Sequence, residues 1–167
     1  VSRQRQALLH SELERSAQAA RLNELRLLDE IARASEDVIF AKDLQGRYTL
    51  LNRSAAELLG RPVESLIGSR DDELFPPALA QAFQRNDAAV LADGLSRTRE
   101  DEVPAPSGAR VFMTTTSPLR NAQGAAVGVF GIARDITQRR RAEASLSDQV
   151  GIMEEMSAMA RIGAWSF

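Results

Sequence analysis

Neither proline nor glycine occurs between Val1 and Ser35, whereas from there to Thr137 the chain is never free of them for long. An unpunctuated run of good helix formers can continue as one long helix; a punctuated one has to turn. The chain is therefore expected to organise as a leading helix over residues 1–35, a compact domain over 36–137 and a trailing helix over 138–162. Residues 163–167 then begin something further, and the start at Val1 and abrupt end at "IGAWSF" read as a piece of a longer protein.

Both helices carry an apolar stripe. His10, Leu13, Ala17, Ala20, Glu24, Leu27 and Ile31 follow alternating steps of three and four, as do Ala142, Leu146, Gln149, Met153, Met156 and Ala160. That spacing suits the seam of a coiled coil and predicts a homodimer through the two helices. Leu22, Leu25 and Leu28 mark a second apolar side of the first helix, available to cover a sheet. A long solvated helix with a few leucines is the plainer reading of the same pattern.

The middle segment reads as short strands and capped helices. "DVIFAKD" and "YTLLN" are strands joined by a turn at Gly46; Asn52 can cap "RSAAELLG", with Gly60 as its stop. Pro77 and Gly94 bracket a longer helix. Three strands follow, over 96–105, 110–119 and 125–136, linked by the turns "PSGA" and "NAQG". Two strands, then helices, then three antiparallel strands give an α+β domain, one sheet with its helices gathered on one face.

Composition removes several chemistries. The chain has no cysteine and a single histidine, His10. Disulfides, thiolate metal sites, cysteine nucleophiles and thiol-anchored chromophores are excluded, and no metal site is expected. His10 in "LLHSELERS" faintly resembles the phosphorylated histidine of a kinase helix, but reads better as a polar seam residue. The carboxylates of "DDELFPP" fit the first turn of a helix, where negative charge is favoured, rather than a cation site. With a net charge of −2 and no basic stripe, no nucleic acid partner is expected. No apolar run approaches the roughly 20 residues that span a bilayer, so no direct membrane contact is expected of the fragment, which is placed in the cytoplasm, with membrane anchoring of the full-length protein left open. No catalytic residue is assigned: the domain has no nucleophile–base pair, no phosphate loop and no histidine.

The pieces "IFAKDLQGRYTLLNRSAAELLG", "LIGSRDDELFP", "NDAAVL", "SPLRNAQGAAVGVFGIARDIT" and "QRRRAE" occur in this order between Asp37 and Glu143. In that order they resemble a PAS sensory domain flanked by signalling helices, and "ARIGAWSF" resembles the opening of a second one. The resemblance implies a five-stranded antiparallel sheet with helices on one face and a pocket between them. It also implies a sensor module of a bacterial signalling protein, with a histidine kinase or a cyclic-di-GMP enzyme (diguanylate cyclase or phosphodiesterase) as parent.

Within that frame, similarity of the last strand to the flavin-binding branch puts Val129, Gly131 and Ala133 inside, with Phe130, Ile132 and Arg134 outside. Parity counted from Pro118 puts Phe112, Thr114 and Thr116 inside. With Phe40 and Phe83 these are the candidate ligand-binding residues. Gly131 and Ala133 leave room opposite them, and the threonine hydroxyls can orient a polar ligand. The exposed Phe130 and Ile132 call for cover, which the leucine stripe of the first helix can supply. The alternative is a ligand-free structural or spacer module, its core filled by Phe40, Phe83, Phe112 and Leu91. Among cofactors, the covalent flavin adduct and haem are disfavoured, since the cysteine and histidine they need are missing; a small molecule held non-covalently remains. Lys42 either points inward toward a carboxylate ligand or pairs at the surface with Asp72 or Glu73, the second being favoured because buried lysine is rare.

The strand-to-helix junction carries the expected relay: Asp135, Ile136, Thr137 and Arg139. Thr137 is expected to cap the trailing helix. Arg139, Arg140 and Arg141 then fall where positive charge is unfavourable, and Asp135 is expected to pair with one of them.

Overall fold

A computed structural model describes residues 2–163. In chain order the elements are α1 (Ser2–Ala34), β1 (Val38–Asp43), β2 (Tyr48–Leu51), α2 (Arg53–Leu59), α3 (Val63–Leu66), α4 (Asp71–Leu74) and α5 (Pro77–Asp93). They are followed by β3 (Arg97–Val103), β4 (Arg110–Arg120), β5 (Ala126–Asp135) and α6 (Thr137–Gly163). The expected further domain over 163–167 lies outside the described residues, apart from Gly163 at the end of α6.

The punctuation works as expected. Asn52 accepts from the backbone N–H of Ala55 to start α2, and Gly60, at φ 64°, ends it in the left-handed conformation that costs other residues most. Asn52 does more than cap. Its Nδ2 donates to the carbonyls of Ala32 (2.8 Å) and Asp37 (2.9 Å), and its Oδ1 also accepts from the Ile39 N–H (3.0 Å). Ser54 Oγ donates to Ser35 O at 2.7 Å. One buried amide thus fastens the end of α1 to the start of both β1 and α2.

The five strands form one antiparallel sheet in the order β2-β1-β5-β4-β3. The two ends of the domain's chain meet at its centre, with β1 beside β5. Residues opposite one another share a face, so the register reads off the inner side directly. Arg99 faces Thr114, Thr114 faces Ala133, and Ala133 faces Val38; one row along, Thr116 faces Gly131 and Gly131 faces Phe40. α2 to α5 cover that side, burying Leu66, Val90, Ala55 and Ala80.

The outer side differs from expectation. Phe130 and Ile132 remain 39% and 46% exposed, and Leu22, Leu25 and Leu28 are exposed as well. α1 does not lie over the sheet within this chain. Asn52 and Ser54 hold its end against α2, which directs it away. The seam positions Leu13, Leu27, Ile31, Leu146, Met153 and Met156 are likewise exposed in the single chain. No helix among the described residues is long and apolar enough to cross a membrane.

Candidate functional site

Between the sheet and α2–α5 lies a cavity with about 70 Å³ of free volume. Its apolar wall includes Phe40, Leu58, Phe75, Phe83, Phe112 and Ala133. Phe75 and Phe83 meet edge to face at 5.1 Å between centroids, as do Phe40 and Tyr48 at 6.1 Å. Lys42 and Asp87 make one end of the wall polar, and Asn86, Arg99, Asp101, Thr114 and Thr116 add polar groups along the rest of it.

That polar end is built around Lys42. The alternation along β1 that turns Val38 and Phe40 inward turns Lys42 inward too, opposite Val129 of β5. Its side chain is 2% exposed, so the favoured surface pairing with Asp72 or Glu73 is corrected. Nζ instead lies 2.6 Å from Asp71 Oδ2 and 2.8 Å from Asp87 Oδ2. It also stands 4.9, 5.6 and 5.9 Å from the ring centroids of Tyr48, Phe40 and Phe83. Tyr48 OH donates to the other oxygen of Asp71 at 2.7 Å. A buried ammonium persists only when paired and hydrogen-bonded in this way. α4 places Asp71 there by starting at that residue: its first-turn carboxylates Asp72 and Glu73 stay outside while Asp71 turns in, buried.

Two titrations in this cluster are shifted. Burial pushes the Asp87 carboxyl above its ordinary value, against the pull of Lys42. Burial together with the neighbouring Asp71 pushes the Tyr48 phenol well up. Elsewhere on the wall, Arg99 grips Asp101 through two N–H groups and donates a third to Ala82 O at 2.8 Å. On the far side of Asp71 and Asp87, a solvent-open cleft of about 180 Å³ runs between α5 and the β1–β2 turn. Asp87 lines both the cavity and this cleft.

Of the expected ligand-binding residues, Phe40, Phe83, Phe112, Thr114, Thr116 and Ala133 stand on the cavity wall. Val129 and Gly131 share the inner face but do not line this cavity; Val129 borders the solvent-open cleft instead. The room expected opposite Gly131 is taken by Phe40: a Cβ there would come within 2.4 Å of its ring. Sequence reasoning missed Asp87, Arg99 and Asp101. Period-two alternation in "RTREDEV" marks Arg99 and Asp101 as sharing one face, a signal that was available.

At the junction, β5 passes into α6 without a break in contact. Ile136 N–H donates to Val111 O at 2.8 Å, and Val111 N–H donates back to Thr137 Oγ1 at 2.9 Å. Thr137 is the first residue of α6 rather than its cap. Its N–H (2.9 Å) and hydroxyl (2.5 Å) both donate to Asp135 Oδ1, so Asp135 takes the capping role. Asp135 does not pair with the arginine run. Oδ2 forms an ion pair with Arg110, which begins the neighbouring strand. Burial pushes the Asp135 carboxyl up, but the Thr137 hydroxyl and N–H together with Arg110 outweigh it and hold the group below its usual range. Arg139 pairs with Glu143 at 3.1 Å, while Arg140 reaches both Glu143 (3.2 Å) and Glu100 of β3.

A family model described as "PAS fold" matches residues 32–141. The chain is 32% identical over 117 residues to the methanogenesis regulatory histidine kinase FilI of Methanothrix harundinacea, covering 70% of this chain and 13% of that protein. The chain therefore spans about an eighth of that relative's length. Among solved structures, VqmA of Vibrio cholera in a complex with ligand and DNA superposes with a TM-score of 0.61 at 28% identity, over 67% of this chain and 50% of that one. The PAS domain of Bordetella pertussis BvgS superposes at 0.57 with 22% identity, over 78% and 98%, and shows the shared fold. The expectation that nucleic acid plays no part draws no support from a set that includes a DNA complex.

Proposed function

This chain belongs to the PAS-fold family, and from that premise we propose that it is a sensor and relay module. In this reading a small ligand is held non-covalently in the inner cavity, and its presence is passed through the β5–α6 junction to paired helices. The observation that carries it is the cavity itself, an apolar chamber with polar side chains set into its wall, as ligand sites have. FilI is a histidine kinase and the VqmA structure holds a ligand, which supports a signalling parent and an occupied pocket. The parent is a histidine kinase or a cyclic-di-GMP enzyme acting in the cytoplasm, with residues 1–35 and 138–162 as dimerising helices and 36–137 as the sensor. A free volume of about 70 Å³ is far below the roughly 300 Å³ or more of drug-sized sites, which counts against a flavin or haem as the ligand. The same small volume favours a second reading, a ligand-free spacer. Native mass spectrometry of the purified chain separates them. A dimer carrying an added small mass supports the sensor; a dimer of bare polypeptide that gains no mass from cell extract supports the spacer, and a monomer removes the helical relay.

A further inference from the structure

We infer that the cavity selects a neutral or protonated hydrogen-bond donor of about six non-hydrogen atoms and refuses carboxylates. This rests on the reading of the cavity as a ligand site. The size follows from its volume of about 70 Å³, since a water-sized sphere occupies roughly 10–15 Å³. The charge preference follows from who is already paired. Lys42 is held between two carboxylates, and Arg99 spends three donors on Asp101 and Ala82 O. The wall therefore carries two cations, Lys42 and Arg99, both already paired, and two carboxylates, Asp87 and Asp101, with Asp71 bonded to Lys42 from outside the cavity. No cation there waits for an anion.

An entering carboxylate would give up hydration without meeting an unpaired cation, on a wall that already carries the carboxylates of Asp87 and Asp101. A donor meets the opposite situation. Asp87 commits Oδ2 to Lys42 and keeps Oδ1 as an acceptor, and the hydroxyls of Thr114 and Thr116 stand on the same wall. The three aromatic rings around the Lys42 ammonium show that this end already stabilises one positive group.

Three molecules of matched size test this: butyramide, n-butylammonium and butyrate, titrated near neutral pH into isotopically labelled protein and followed by amide NMR. The first two should shift the signals of Thr114, Thr116 and Ala133, with butyrate weaker by about tenfold or more. Butyrate binding as tightly as butyramide overturns the charge selection while leaving the ligand site standing. No shift from any of the three removes the ligand site and the selection with it. Asp87→Asn supplies the second arm, since Asp71 still holds Lys42 and a dispersed spectrum reports the fold. The variant should narrow the gap between butyrate and butyramide; an unchanged gap overturns the inference.

Discussion

Glu100 on β3 forms an ion pair with Arg140 in the first turn of α6, while its two neighbours along the strand, Arg99 and Asp101, stand on the cavity wall. One strand thus touches the chamber with one face and the trailing helix with the other. That ion pair ties the strand carrying the Arg99–Asp101 fork to α6 at a point separate from the β5 junction.

The first prediction concerns that route. Glu100→Gln removes the pair but leaves the fold's buried contacts alone, so the melting temperature should not change; exposed pairs contribute little to global stability. Hydrogen exchange in the first two turns of α6 should become faster. Exchange at the wild-type rate would show that Glu100 does not hold the helix.

Asp135 carries the second. Asp135→Ala deletes the acceptor for both Thr137 donors and should cost about 1 kcal/mol, the usual worth of a cap, whereas Asp135→Asn keeps one acceptor oxygen and should recover most of it. The carboxyl sits below its ordinary value in the folded chain. Its contribution is therefore complete above the unfolded value of about 3.9 and is lost as pH falls through the lower folded one. Denaturation curves of wild type and Asp135→Ala should converge in acid, and a constant gap down to the lowest pH would contradict the assignment.

The fold was legible because its signals are local. Asn52, Gly60, Pro77 and Gly94 each act on their own few residues, alternation along β4 placed Thr114 and Thr116 on the inner face, and the family resemblance of β5 placed Ala133 there. The polar end was not legible in the same way. Lys42, Asp71 and Asp87 are brought together from β1, α4 and α5, and no spacing along the chain records that meeting. The general rarity of buried lysine argued against it, yet two carboxylates and three rings reverse the balance at this one position. Arg110 replaced the arginine run as Asp135's partner for a similar reason: strand pairing outranks nearness in sequence.

Lys42→Met gives the third prediction. It leaves Asp71 and Asp87 buried together with no cation, and breaking a buried pair in this way costs about 3–5 kcal/mol. Adding Asp87→Asn should restore part of that loss, because one of the two stranded charges is gone. Chemical denaturation of the single and double variants measures it; a double variant less stable than the single one would count against a shared cluster.

The fourth follows from Asp87 in the wild-type chain. Burial raises its folded value above the unfolded one, so the folded state binds that proton more tightly. The associated stability is fully present below the ordinary carboxylate range and fades as pH rises through the raised value. Melting temperatures of wild type should fall relative to Asp87→Asn across that window, with the two curves parallel on either side of it. Curves parallel throughout would place Asp87 in an ordinary solvated setting.

Asn52 provides the last. Asn52→Asp retains the oxygen that accepts from Ile39 and Ala55, so α2 keeps its cap. It replaces the amide that donates to Ala32 O and Asp37 O with a second oxygen, setting a negative charge against two carbonyls in a site that is 4% exposed. Losing one partner of a buried hydrogen bond costs about 1–3 kcal/mol, with charge adding to it, so a loss near 3 kcal/mol is expected. The damage should be directional. α1 is tied to the domain through this amide and Ser54, so limited proteolysis should cut sooner around Ala34 and Ser35 while β4 and β5 keep their exchange protection. Equal loss of protection across the whole sheet would mean that Asn52 supports the core in general and is no specific tether for α1.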